Sequence, residues 1–106
     1  MNWQRKIFLG LYYNTLKMNE RYPEGESPIE FYNRIINNFE IIINENKQLN
    51  NIALVTHAGV INIIYKYINN QEWTNKIKSI KINNASFYVL EINGENRNFI
   101  IENFSI

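Results

Sequence analysis

The chain has no cysteine, no aspartate, one histidine, two prolines and four glycines in 106 residues. Lack of cysteine excludes a disulfide framework, a zinc-thiolate site and a thiol nucleophile. A single imidazole, His57, excludes a metal centre built on several histidines. With no aspartate, every side-chain carboxylate role falls on ten glutamates. The four scattered glycines form neither a Walker loop nor a dinucleotide fingerprint. No apolar run reaches the roughly 20 residues of a membrane span. Arg5-Lys6 followed by Ile7 to Tyr13 has a faint look of a signal peptide, but no small-residue cleavage site follows and the run meets Asn14 and Thr15. A cytoplasmic address is the default expectation. A net charge of +1 leaves no polybasic nucleic-acid arm and no acidic tail. The seven tyrosines are spread along the chain instead of forming a base-stacking platform. No metal, cofactor, nucleic acid or membrane is expected as a partner.

What is present is a globular composition, 45% apolar and 14% aromatic, of a length that suits one domain over residues 1–106. Such a chain buries roughly 65% of its unfolded surface, enough for one modest core. Twenty asparagines and nineteen isoleucines make up more than a third of the residues; we read this as genome bias. Asn84-Ala85-Ser86 and Asn103-Phe104-Ser105 fit the glycosylation pattern by coincidence of that bias.

Helical spacing joins Trp3, Ile7, Phe8, Leu11, Tyr12 and Leu16 over residues 3–18. Residues 22–28 read as a loop. Ser27, Pro28 and Glu30 then form a capping-box signature, and Tyr32, Ile35, Ile36, Phe39, Ile42 and Ile43 continue it as an apolar stripe to about Lys47. The continuous apolar run Ile52 to Thr56 predicts a strand buried on both faces, as in a parallel sheet. Ala58-Gly59 is the turn into a mostly buried helix over residues 60–67. Trp73 falls in a polar connection, residues 79–83 and 85–92 are expected to be extended, and Asn93-Gly94 signals a hairpin whose second strand covers 97–104. The order indicates an α/β fold with a mixed sheet.

Two places hold chemistry. His57 stands at the carboxyl end of the expected strand, where open α/β sheets bind ligands. The free amides that follow, at Ala58 and Gly59, favour an anion such as phosphate, and Gly59 permits close approach. At this position ligand binding outweighs a core histidine that packs the strand end. In Glu24-Gly25-Glu26-Ser27, Ser27 reads as an N-cap. Glu26 reads either as a carboxylate facing a cleft above the helix or as a solvated loop carboxylate favoured by the helix dipole, and the residues alone favour the latter.

Taken in order, Tyr22-Pro23-Glu24-Gly25-Glu26-Ser27, a helix, and Ile52-Ala53-Leu54-Val55-Thr56-His57-Ala58-Gly59-Val60-Ile61 resemble the C-terminal half of the histidine phosphatase superfamily, the phosphoglycerate mutase-like group. A later strand like Asn84 to Leu90 is also typical, so the resemblance covers about residues 20–92. It implies a three-layer fold with a C-terminal hairpin and phosphomonoester chemistry through phosphohistidine. It also implies that His57 contacts the phosphoryl group with Ala58 and Gly59, and that Glu26 lies at the edge of the site. The family's nucleophile belongs to an Arg-His-Gly motif, and these 106 residues contain none. Arg5, Arg21, Arg34 and Arg97 match no phosphate-clamping motif. The expectation is a truncated fold, close to inactive alone, with a bare strand edge beside Ile52 to Thr56. That edge implies a homodimer, a domain swap or pairing with an N-terminal fragment. The alternative is a non-catalytic module that binds a phosphate ligand or a partner chain.

Overall fold

The computed structural model describes residues 16–21, 25–76 and 85–105. Helix α1 spans Pro28–Glu45 and helix α2 spans Ala58–Ile68. Strands β1 (Ser86–Asn93) and β2 (Asn96–Ser105) form a two-stranded antiparallel sheet. The α/β class stands. The expected helix 3–18 and strand 79–83 lie outside the described residues, apart from 16–18, which are not helical.

Helix α1 begins where local chemistry demands it. Ser27 holds an extended backbone (φ −77°, ψ 162°), and its Oγ accepts from the Glu30 amide at 3.2 Å. Glu30 Oε1 accepts in return from the Ser27 amide at 3.0 Å, so two otherwise orphaned donors are satisfied. Pro28 occupies the first turn, where its missing N–H costs nothing. The stripe faces inward as its spacing requires: Ile36 and Phe39 are buried, while Asn33, Arg34, Asn37 and Asn38 are exposed. Asn46 ends the helix, and its Nδ2 donates to the Ile42 carbonyl at 2.8 Å.

The core is small. Ile63 of α2, fully buried at 0% exposure, meets Ile36 of α1 and Trp73, with Met18, Phe31, Tyr32, Ile35 and Tyr67 packed around them. Trp73 belongs to this core and not to a polar connection: it is 9% exposed and stacks on Tyr32 with ring centroids 5.6 Å apart. The mostly buried helix expected over 60–67 is corrected to a half-buried one, since Ile63 is its single buried residue. Only one flank of α2 has a helix to pack against.

Across the hairpin, register runs from Asn93↔Asn96 through Leu90↔Phe99 and Val89↔Ile101 to Phe87↔Phe104, with bulges between Phe87 and Val89 and between Val89 and Leu90. Its loop contracts to Gly94-Glu95. Gly94 has φ +61°, a conformation that a residue with Cβ resists. Tyr65 of α2 packs on Phe99 (5.1 Å) and Tyr88 (6.2 Å), which seats one face of the hairpin on α2. The other face leaves Phe87, Ile100 and Phe104 exposed.

The largest departure is at residues 52–56. They form no strand, and every one is exposed, including Val55 at 101%, Leu54 at 47% and Ile52 at 42%. A run buried on both faces needs neighbouring strands to pair with its backbone and layers above and below it. Among the described residues neither is present, so the mixed sheet is not assembled there.

Candidate functional site

His57 is the N-cap of α2, with extended backbone (φ −92°, ψ 157°). Its carbonyl accepts from the amides of Val60 and Ile61 at 3.0 and 3.1 Å. Its imidazole makes no capping bond and is exposed. The amides of Ala58 and Gly59 have no acceptor within the helix, because the first turn has no preceding carbonyl to offer. A Cβ at Gly59 would meet nothing within 4 Å, so the space over this helix end is open. The arrangement is an uncommitted imidazole beside uncommitted backbone donors at the positive end of a helix dipole, which suits an oxyanion.

Glu26 stands immediately before the cap of α1. Both of its oxygens are taken by Arg34, from Nε at 3.0 Å and Nη2 at 2.9 Å. Those hydrogen bonds hold its carboxyl below the usual carboxylate range. Glu26 is therefore an anion engaged with a guanidinium, not a carboxylic acid poised to give up a proton. No hydrogen bond links it to His57 among the described residues. The guanidinium of Arg34 also lies 5.4 Å over the Phe31 ring. Two turns inward from the cap, Arg34 falls on the side of Glu26; that spacing was readable in the sequence, but ion pairs at such separations are too common to single it out. Arg21 grips Glu30 in the same two-pronged way at 2.7 and 2.6 Å, and its hydrogen bonds, with the Ser27 amide, bring the Glu30 carboxyl down to about 2.

A third polar cluster was not foreseen from the sequence. Glu40 of α1 accepts from Arg97 of β2 through both oxygens, each at 2.8 Å, and from the Tyr67 hydroxyl of α2. Arg97 also lies 5.9 Å over the Phe39 ring. The network lowers the Glu40 carboxyl, chiefly through the Arg97 hydrogen bonds, and raises the Tyr67 hydroxyl. It ties both helices to the hairpin. A shallow groove lies next to it, lined by Tyr67, Ile68, Asn70, Gly94 and Arg97. It sits at the far end of α2, about 16 Å along the axis from the His57 end. Arg97 is already committed to Glu40, so we place the candidate site at His57 and not in this groove.

None of the described helices is long and apolar enough to cross a membrane. The family model described as histidine phosphatase superfamily (branch 1) matches residues 10–104, extending the likeness beyond residues 20–92. No curated protein and no solved structure matches the chain.

Proposed function

The chain belongs to the histidine phosphatase superfamily, and from that premise we propose that it supplies the second-histidine portion of a phosphomonoester site. In this reading His57 and the amides of Ala58 and Gly59 hold the phosphoryl oxygens. The nucleophilic histidine and the arginine clamp come from an Arg-His-Gly segment that is not among these 106 residues. The phosphoryl group passes from the substrate oxygen to that second imidazole, and water then releases it as phosphate. Glu26, held as an anion by Arg34, orients the rim of the site and does not protonate the leaving oxygen. The truncated three-layer sandwich closes when the missing segment joins, and the setting is cytoplasmic.

The observation that carries this reading is the imidazole of His57, exposed and without a capping bond over two open amides. A single histidine cannot act both as nucleophile and as its partner. Losing a covalent nucleophile costs orders of magnitude in rate, so the 106 residues alone are close to inactive. That same count favours a second reading, in which the chain binds a phosphate ligand or a partner without turnover.

One imidazole gives one isolated proton resonance. Adding inorganic phosphate or vanadate is expected to shift that resonance and its titration midpoint; an unmoved signal refutes the anion site. Adding an Arg-His-Gly segment separates the two readings. Hydrolysis of a generic phosphate ester that appears only in the mixture, and vanishes with His57→Ala, supports the phosphatase reading. Binding without hydrolysis supports the module. Turnover by the chain alone would overturn the claim of inactivity.

A further inference from the structure

We propose that the exposed strip Asn51–Thr56 is a self-pairing strand, and that its occupant in solution is the same strip of a second copy of this chain. The inference rests on exposure and charge and does not depend on the phosphate reading. Residues 47–59 are exposed without interruption, and Ile52, Leu54 and Val55 stand within that stretch. Gln48 to Thr56 contain no charge, no proline and no glycine. These are the devices by which proteins keep an open strand from pairing, and all are missing here. The strip's backbone has no ladder among the described residues, so its amides and carbonyls are free to form one.

Charge selects the occupant. With no charged side chain between Lys47 and His57, two copies of the strip can lie side by side without like-charge contacts. The whole chain carries only +1, so long-range repulsion between copies is weak. Alternating apolar side chains of identical strips interdigitate, with Asn50 and Asn51 able to bond across the pair. The outer face of the hairpin is also apolar, but Arg97 and Glu102 sit on its second strand and β1 and β2 already pair with one another.

The test is sedimentation equilibrium of the full chain over a wide concentration range, with Val55→Lys and Ile100→Lys alongside. Both positions point into solvent, so neither change disturbs the core. The expected result is a species of twice 12.7 kDa that dissociates on dilution. Val55→Lys, which removes the valine from both copies, should weaken it by roughly a hundredfold, and Ile100→Lys should leave it intact. Hydrogen exchange gives an independent readout: the amides of Ile52 to Thr56 should slow as concentration rises, and this decides the matter even if a variant misfolds. A wild-type chain that stays monomeric, an assembly indifferent to Val55→Lys, or one broken by Ile100→Lys would overturn the proposal. So would a strip that pairs only with an added Arg-His-Gly segment.

Discussion

Replacing Glu40 by glutamine tests how the hairpin is held. The substitution keeps the shape and leaves an acceptor for Tyr67, but it removes the charge that Arg97 grips at 2.8 Å through both prongs. The side chains of Arg97 and Glu40 are 25% and 36% exposed. The pair therefore lies between an open surface bridge, at ~0–1 kcal/mol, and a buried one whose rupture costs ~3–5 kcal/mol. Solvent screening favours the lower half of that range, so we expect a loss of about 1.5 kcal/mol. With a urea dependence of about 1.5 kcal/mol per molar, the midpoint should fall by about 1 M. A double-mutant cycle with Arg97→Met isolates the coupling, expected near 1 kcal/mol. Acid should act in the same direction. The folded Glu40 carboxyl is depressed below its unfolded value of ~4.3, so its stabilisation is full above that value and is lost as pH falls through the folded value. A coupling under about 0.3 kcal/mol, or a cycle that does not shrink in acid, would show that the aromatic contacts alone seat the hairpin.

Further outcomes follow from the same geometry. Ile63→Ala empties the fully buried centre of a small core and should cost about 3 kcal/mol in chemical denaturation, a large share of the total stability of a chain this size. Ser27→Ala breaks the capping box and should cost about 1 kcal/mol, with helical circular dichroism at 222 nm lost first from α1 on heating. His57→Ala should abolish phosphate-dependent shifts of the Ala58 and Gly59 amides without lowering stability, since its ring makes no capping bond.

Much of the fold was legible in short stretches of chain. Ser27-Pro28 with Glu30 places the start of α1 to the residue, because a cap is settled by bonds across three positions. The stripe from Tyr32 to Ile43 identifies the inward face of α1, because helical period alone sorts its residues. Asn93-Gly94 marks the hairpin to within one residue, because Gly94 is needed where φ is positive. His57 could likewise be placed ahead of a helix N-terminus by its neighbours alone.

Other features exist only once distant segments meet. Trp73 lies among polar neighbours in sequence, and only the docking of α1 on α2 gives it Tyr32 and Ile63 to pack against. Glu40, Tyr67 and Arg97 come from three elements, and no spacing links them until the hairpin folds back. The run Ile52 to Thr56 has the composition of a buried strand, which the sequence by itself determined. Whether that composition is buried depends on neighbours for its backbone and both its faces. The described residues provide none, so the tertiary structure leaves it exposed beside His57.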